Sequence, residues 1–195
     1  MFSLTGILRR LGPLGRKIAW NREFRNGPHF AGARSPVILR IIRDHCRGKR
    51  IVELACGDGS LARAIQRFGW VSYNGFDISS EAIARARAAS EPEQKFHVQD
   101  MEAWIPTENF DLLIIEEALY YLPPTVQISL LEKAFDHMGD TGVAIIALHS
   151  RSKYSALIER LRNRWEIRTE LNEGDRSYLI LTPSHAAPRE PGIGK

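Results

Sequence analysis

The feature that most constrains the fold is a regular alternation of short apolar runs with helix-length segments that have one apolar face. The apolar runs are predicted strands and cover residues 50–54, 71–76, 95–98, 111–115 and 142–148. The predicted helices cover residues 60–68, 80–88, 124–138 and 153–162. Strands that alternate with helices pair in parallel through right-handed crossovers, so the pattern predicts an α/β, doubly wound sheet with helices on both faces.

Two further signals complete the predicted domain. Ser35 followed by Pro36 is typical of a helix start, because serine caps the first turn and proline fits its first position. Residues 165–170 and 176–181 are two more predicted strands, and the turn residues between them predict a C-terminal antiparallel hairpin. The sequence thus predicts one domain at residues 35–183, preceded by a different segment at 1–34 and followed by a disordered, Pro- and Gly-rich tail at 184–195.

Positive charge is concentrated near the N-terminus. The first 50 residues contain 12 lysines and arginines against two acidic residues, whereas the remaining residues contain 15 against 21. Residues 1–34 are therefore interpreted as a basic arm or lid, in which Gly12-Pro13 and Gly15 interrupt any long helix. Such a segment is attracted to an anionic partner, whether a phosphorylated substrate, a nucleic acid or a membrane surface. The alternative is that it docks on the acidic surface of its own chain.

Composition narrows the class of protein. No apolar run approaches the roughly 18 residues that a transmembrane helix requires, which leaves only weak membrane-surface contact by the basic arm. Cys46 and Cys56 are the only cysteines in 195 residues, and they have no metal-ligand spacing. This cysteine usage favours a reducing compartment, so we expect a cytoplasmic protein without a metal site.

The segment IVELACGDGS at residues 51–60 places a carboxylate and two glycines at the end of the first predicted strand. In such sheets ligands bind beyond the carboxyl ends of the strands, and Gly57 and Gly59 let the backbone approach a ligand closely. Together with Ala62 they also satisfy the loose dinucleotide pattern G-x-G-x-x-A. Asp77 directly follows the second predicted strand, 18 residues after Gly59. A carboxylate there can accept both ribose hydroxyls of either NAD or S-adenosylmethionine.

The other strand ends discriminate between these two nucleosides. Glu53 would repel the pyrophosphate of a dinucleotide, whereas it suits the ammonium and sulfonium groups of S-adenosylmethionine. Asp100 and Met101 follow the third strand and offer a carboxylate for the adenine amino group beside an apolar side chain for its ring. A dehydrogenase would also need a substrate domain, for which this sequence has no residues left. Asp77 has an alternative role as a helix N-cap, although Ser79 can supply that cap instead.

Four successive motifs between residues 50 and 150 resemble those of class I S-adenosylmethionine-dependent methyltransferases, and they read IVELACGDGSLARAI, YNGFDISSEAIARARA, FHVQDMEAW and FDLLIIEEALYYL. Ala55 replaces the first glycine of the common E/D-x-G-x-G-x-G pattern. The stretches EEALYYL and WNREFRNGPHF look most like the nodulation-protein-S type and related small-molecule and sugar methyltransferases, where Arg-Trp is more usual than Pro28-His29-Phe30. The resemblance implies a Rossmann-like, seven-stranded, mostly parallel sheet that ends in an antiparallel hairpin.

The resemblance also implies S-adenosyl-L-methionine as the cofactor. The implied cofactor site consists of residues at the strand ends: Glu53, Ala55, Gly57, Gly59, Asp77, Ile78, Asp100, Met101 and Glu116. By this resemblance Glu53, Gly57 and Gly59 surround the methionine moiety. Asp77 binds the ribose, and Glu116 lies beside the sulfonium. Ile78, Asp100 and Met101 form the adenine pocket.

The ends of the fourth and fifth strands supply the candidate catalytic residues Glu117, Tyr120 and His149. Methyl transfer is an in-line displacement, for which the enzyme positions the acceptor and, for a hydroxyl acceptor, usually supplies a base. The alternatives are that Tyr121 packs under the sheet edge and that His149 caps the next helix. The expected function is methyl transfer to N or O of a small molecule, such as an amino sugar, another sugar or an anionic metabolite.

Two other functions stay open at this point. An RNA or tRNA methyltransferase would use residues 1–50 as a basic clamp and would bind RNA in a steeply salt-dependent way. Base methyltransferases often carry [DNS]-P-P-[YFW] after the fourth strand, however, and this chain has EEAL there. A non-catalytic subunit with the same fold would show no cofactor affinity. The sequence carries no signal for an oligomeric state.

Overall fold

Seven strands form a mixed sheet in this computed structural model, which describes residues 12–26 and 34–185. In chain order the strands are β1 Arg50–Leu54, β2 Ser72–Asp77, β3 Gln94–Val98, β4 Phe110–Glu116, β5 Met138–Leu148, β6 Trp165–Glu173 and β7 Arg176–His185. Their order in the sheet is β3-β2-β1-β4-β5-β7-β6. The pairs β1–β2, β2–β3 and β4–β5 are parallel, whereas β7 is antiparallel to both β5 and β6. The predicted α/β sheet with a C-terminal hairpin is therefore confirmed.

The described residues also form α-helices and two short 3-10 helices. The α-helices are α1 Gly12–Asn26, α2 Pro36–Cys46, α3 Ser60–Ala64, α4 Ser80–Ala88, α5 Pro124–Phe135 and α6 Ser155–Arg164, and the 3-10 helices are Met101–Ala103 and Leu119–Tyr121. Helix α2 begins as predicted, because the Ser35 hydroxyl accepts the N–H of Val37 at 3.1 Å. The Ser79 hydroxyl accepts the N–H of Ala82 at 3.1 Å. Ser79, and not Asp77, is therefore the N-cap of α4.

The described residues up to Trp104 form one compact unit, which contains β1–β3 and α1–α4. Its core includes aliphatic side chains that solvent does not reach: Ile38, Ile42, Ile51, Leu54, Leu61 and Ile83. Burial of each such side chain contributes about 1.5–3 kcal/mol. The three parallel strands of this unit end at one edge, which brings the residues that follow them together.

The described residues from Ile105 onward form a second compact unit with β4–β7, α5 and α6. Residues 112–115 of β4 and 143–148 of β5 are buried without interruption, as is typical of strands that are covered on both faces. At the start of β6, Trp165 packs on Phe135 of α5, with their ring centroids 5.4 Å apart.

Helix α1 corrects the prediction that Gly12-Pro13 and Gly15 interrupt any long helix, since it spans 15 residues from Gly12 to Asn26. Gly12 has a left-handed φ of 71° at the first position, where a glycine is tolerated. Pro13 lies in the first turn, where no helical partner is needed for its missing N–H. Gly15 is buried, so its lack of a side chain allows close packing. Residues 1–11 and 27–33 of the predicted arm lie outside the described residues.

Helix α5 ends earlier than predicted. The sequence predicts residues 124–138 with Gly139 as the stop, but α5 ends at Phe135 and β5 begins at Met138. The N–H of Phe110 on β4 donates to the carbonyl of His137 at 3.2 Å, so the sheet uses the backbone just beyond α5. Of the predicted tail, residues 184 and 185 belong to β7, and 186–195 lie outside the described residues.

Candidate functional site

The loop after β1 adopts a left-handed backbone at three of the predicted site residues. Ala55, Gly57 and Gly59 have φ angles of 59°, 56° and 72°. A Cβ atom on Gly59 would lie 3.0 Å from Cζ of Phe96, and one on Gly57 would lie 3.3 Å from Cζ of Phe24 on α1. Both glycines therefore permit a close approach of an aromatic ring, and Ala55 adopts a conformation that glycine tolerates better.

Glu53 is a buried acid in β1, just before this loop. The phenol O–H of Tyr73 on β2 donates to its Oε2 atom. Burial raises the pKa of Glu53 to about 7, while Arg34 and the Tyr73 hydrogen bond act in the opposite direction. The Nη2 atom of Arg34 also donates to the hydroxyl of Ser60, the first residue of α3, at 2.8 Å. The contacts of Tyr73 and Arg34 with Glu53 join distant segments of the chain, and no local sequence pattern signals them.

Asp77 is buried at the end of β2 and binds two backbone N–H groups. Its Oδ2 atom accepts the N–H of Gly57 at 2.9 Å, and its Oδ1 atom accepts the N–H of Ser79 at 2.8 Å. Burial raises the pKa of Asp77 to about 6, although these two hydrogen bonds lower it. A carboxylate offers about four acceptor positions. Asp77 thus joins the ends of β1 and β2 and keeps acceptor capacity for a ligand.

Asp100 follows β3 and forms an ion pair with a residue of α1. The Nη2 atom of Arg16 donates to Oδ2 of Asp100 at 2.8 Å and also pairs with Glu102, whose N–H donates to Oδ1 of Asp100 at 3.0 Å. The apolar side chains of Ile78 and Met101 near the same strand ends are partly exposed. We refer to Glu53, Asp77 and Asp100 below as the strand-end acids.

Helix α1 contacts the ends of all three strands in its unit. Besides the Arg16 pair, the Asn21 side-chain oxygen accepts the hydroxyl of Ser79 at 2.8 Å, and Phe24 lies against Gly57. Arg25 pairs with Glu81 of α4 at 2.7 Å. Two cations of this basic helix are therefore docked on acids of its own chain, which was one of the two predicted alternatives.

A second group of predicted residues lies at the ends of β4 and β5 in the other unit. Glu116 ends β4 and is partly buried. Glu117 follows it with a left-handed φ of 57°, and its Oε2 atom accepts the backbone N–H of His149 at 2.7 Å. The same oxygen lies 2.7 Å from Nδ1 of His149 and 3.4 Å from the hydroxyl of Tyr120. The structure thus brings together the three predicted catalytic residues Glu117, Tyr120 and His149.

Tyr154 is a fourth member of this group that the sequence analysis placed within a predicted helix. Its ring stacks on that of Tyr120, with centroids 4.1 Å apart and an interplanar angle of 7°. The Tyr120 hydroxyl lies 3.0 Å from Nδ1 of His149. Burial raises the pKa of Tyr120, so its hydroxyl stays protonated. We call Glu117, Tyr120, His149 and Tyr154 the Glu117 cluster.

The contacts of Glu117 bear on which His149 nitrogen carries the proton. An ionised carboxylate only accepts hydrogen bonds, so an ionised Glu117 favours the tautomer of His149 that carries its proton on Nδ1. In a neutral imidazole the other nitrogen, Nε2, then carries a lone pair that can take up a proton. His149 does not cap α6, whose N-cap is Tyr154.

Within residues 12–26 and 34–185, no group of three or more His, Cys, Asp or Glu side chains is placed to hold a metal ion. None of the helices in these ranges is both long and apolar enough to cross a membrane.

A family model described as a methyltransferase domain matches residues 28–179. Trans-aconitate 2-methyltransferase from Deinococcus radiodurans is 27% identical over 152 residues, which cover 74% of this chain and 57% of that protein. The enzyme of the same name from Escherichia coli is 35% identical over 98 residues, which cover 49% of this chain and 38% of that protein. The chain thus spans about half the length, or less, of the curated relatives that it matches.

Solved structures share the fold. The N-methyltransferase NodS from Bradyrhizobium japonicum, in complex with S-adenosyl-L-homocysteine, has a TM-score of 0.70 at 15% identity and covers 85% of this chain and 97% of its own. A DhpI complex with S-adenosylhomocysteine also has a TM-score of 0.70, at 19% identity. It covers 93% of this chain and 95% of its own. Together with the family match, these likenesses confirm the resemblance inferred from the motifs: the chain belongs to the methyltransferase-domain family, with the fold of the class I S-adenosylmethionine-dependent enzymes.

Proposed function

We propose that this chain binds S-adenosyl-L-methionine through the strand-end acids of its first unit and transfers the methyl group to a small molecule. The observation that carries the proposal is the position of Glu53, Asp77 and Asp100 around the loop of Gly57, at the ends of three adjacent parallel strands. This set of donors and acceptors matches a cationic nucleoside that bears an amino acid. It does not match a pyrophosphate, which buried carboxylates would repel.

Each part of the cofactor has candidate partners in this unit. The remaining lone pairs of Asp77 accept the ribose hydroxyls, and Ile78 and Met101 flank the adenine with Asp100 near its amino group. Glu53 attracts the ammonium group, and Arg34 beside it attracts the carboxylate. The backbone at Ala55, Gly57 and Gly59 lines the methionine moiety.

We assign the acceptor to the Glu117 cluster. When bound, S-adenosylmethionine supplies a methyl group already activated on a sulfonium. Glu117 would hold the His149 imidazole so that Nε2 takes a proton from the acceptor. A hydroxyl would lose its proton as its oxygen bonds to the methyl carbon and the carbon–sulfur bond breaks, whereas an ammonium would lose its proton first, because only the neutral nitrogen has a lone pair for the attack. Tyr154 fixes the Tyr120 ring by stacking, and Tyr120 in turn places its hydroxyl beside His149.

A small, anionic or sugar-linked acceptor fits this chain better than a nucleic acid. Arg16 and Arg25, which an RNA clamp would use, are paired with acids of their own unit. The ammonium of Lys153 lies 5.1 Å from the Tyr154 ring centroid, beside the proposed acceptor site. The curated relatives named above act, by their name, on trans-aconitate, which is also a small anion. Cys46 and Cys56 are free thiols, which supports a cytoplasmic location.

Isothermal titration calorimetry of the full-length protein with S-adenosylmethionine and with S-adenosylhomocysteine tests the proposal. We expect both to bind with a dissociation constant on the order of micromolar. Asp77→Ala should weaken binding by about tenfold or more, because it removes the ribose acceptor. The exposed Asp140→Ala is the matched control and should leave the dissociation constant unchanged. Folded wild-type protein that binds neither ligand would disprove the function, and an unaffected Asp77→Ala variant would disprove the ribose assignment.

A further inference from the structure

Tyr73 is a buried tyrosine whose position in the sheet directs it at Glu53. In the parallel pair of β1 and β2, Ile51 faces Tyr73 and Glu53 faces Gly75. Tyr73 and Glu53 therefore project from the same face of the sheet, on neighbouring strands. The Tyr73 hydroxyl donates to Oε2 of Glu53 within the core.

The Tyr73 ring is held in place by two aromatic neighbours. Its centroid lies 5.9 Å from that of Trp70 and 6.0 Å from that of Phe96, and its side chain is inaccessible to solvent. Burial raises the pKa of Tyr73 well above its ordinary value, so its hydroxyl remains a hydrogen-bond donor. The ring is thus a rigid support that brings one fixed donor to the carboxylate.

Glu53 lies in a mixed electrostatic environment. The titratable and charged groups that act on it, or on which it acts, are Arg34, Cys56, Asp58, Tyr73 and Asp77. Arg34 and Tyr73 favour the ionised form, whereas burial and the two aspartates favour the protonated form, and the pKa of Glu53 is raised to about 7. The protonation of Glu53 is therefore balanced near neutral pH, and each stabilising contact affects it.

We propose that Tyr73 is a positioning residue of the cofactor site, whose buried hydroxyl fixes the Glu53 carboxylate and favours its ionised form, which attracts the cofactor's ammonium group. This inference rests on the proposed function, since it takes Glu53 as the partner of the methionine moiety. It adds a residue that never touches the cofactor and acts only through Glu53.

The role of Tyr73 has a consequence for the pH dependence of binding. Removal of the hydroxyl takes away one of the two contacts that favour the ionised form, so Glu53 in Tyr73→Phe holds its proton to a higher pH. A protonated Glu53 is neutral and binds an ammonium less well. Near neutral pH, the free energy needed to remove that proton on binding is then larger in Tyr73→Phe than in the wild type. At high pH Glu53 is ionised in both proteins, and the difference disappears.

The test is a calorimetric titration with S-adenosylhomocysteine from about pH 6 to about pH 9, for wild type and Tyr73→Phe. The ratio of the two dissociation constants is the quantity to follow, because the titration of the ligand's own amino group cancels in it. We expect Tyr73→Phe to bind about three- to tenfold more weakly near neutral pH, as a pKa shift of up to about one unit gives. We expect the ratio to approach one near pH 9.

Two variants make the result specific. Tyr178→Phe removes a comparable bond, from the Tyr178 hydroxyl to Glu173 at 2.8 Å in the other unit, and should give a ratio near one at every pH. Glu53→Gln removes the titrating group, so adding Tyr73→Phe to it should cause no pH-dependent loss.

The outcomes separate this inference from the proposed function. Wild type that does not bind S-adenosylhomocysteine overturns both. If the wild type binds and the ratio of the two dissociation constants is equal to one, only the role of Tyr73 is overturned. The same holds if the ratio is constant across pH, because a packing defect would weaken binding equally at every pH. Should Tyr73→Phe not fold, the Glu53→Gln variant decides: pH dependence equal to that of wild type would contradict a titrating Glu53.

Discussion

At the scale of single residues, the backbone departs from its usual conformations directly after two strands. Ala55 follows β1 with a φ of 59°, and Glu117 follows β4 with a φ of 57°. For residues other than glycine such a conformation costs about 1–3 kcal/mol and persists where the surrounding structure requires it. Both positions adjoin residues to which we assign a function: Glu53 in one unit and His149 in the other.

The arrangement at Glu117 predicts the tautomer of His149. In nitrogen-15 NMR spectra, the neutral form of His149 should carry its proton on Nδ1, because Glu117 accepts from that nitrogen. Glu117→Gln should shift the population toward the Nε2-protonated form, since an amide offers a donor as well as an acceptor. His137 is an internal control, because its Nδ1 lies 3.0 Å from the carbonyl of Lys133 and should not respond. A wild-type His149 protonated mainly on Nε2 would contradict the geometry.

At the scale of elements, α1 shows how a basic helix docks on acids of its own unit. Its contacts with the strand ends differ in burial. The Arg16 and Asp100 side chains are 17% and 15% exposed, whereas those of Arg25 and Glu81 are 66% and 38% exposed. Solvent screens the second pair more strongly, so we expect the first to contribute most of the charge-dependent docking.

Hydrogen exchange measured by mass spectrometry can test this difference. Arg16→Ala should speed the exchange of α1 backbone amides by roughly five- to tenfold, which corresponds to the loss of about 1 kcal/mol of docking free energy. Arg25→Ala, which removes the same side chain from the same helix, should change it by less than about twofold. Equal effects of the two substitutions would show that burial of the pair does not decide its contribution.

Sequence patterns predicted the elements with dense local signals. Strand β1 and helix α4 have the predicted bounds, because an apolar run and a serine cap are local features. Helix α1 was not predicted, because its proline and first glycine lie at its start, where they are tolerated. The end of α5 was predicted wrongly because the β4–β5 ladder uses the residues after it. Long-range contacts, such as Tyr73 with Glu53 and Tyr154 with Tyr120, have no local signal at all.

For the whole molecule, two of the strand-end acids make the stability of the fold depend on pH. Burial raises the pKa values of Glu53 and Asp77 to about 7 and about 6. Between the ordinary carboxyl pKa and these values, the folded chain binds more protons than the unfolded chain. The free energy of unfolding therefore falls as the pH rises through this window.

Glu53→Gln should remove about half of this pH dependence, because the pKa of Asp77 is raised by a comparable amount. We expect its free energy of unfolding to match that of wild type near pH 4 and to exceed it by roughly 1–3 kcal/mol near pH 8, as measured by urea denaturation. The exposed Glu108→Gln should follow wild type at both values. The same Glu53 variant should bind S-adenosylhomocysteine less tightly, as is common when a functional residue costs stability. A variant less stable than wild type near pH 8 would contradict an unfavourable buried charge.

The position of β7 between β5 and β6 also matters while the protein is being made. On the ribosome β6 emerges before its ladder partner exists, because β7 is the last strand of the described chain to be synthesised. Until then the backbone of β5 that later pairs with β7 stays open to other strands, which is a hazard for aggregation. Translation that stalls before residue 176 would therefore leave a nascent chain that chaperones must shield or proteases remove.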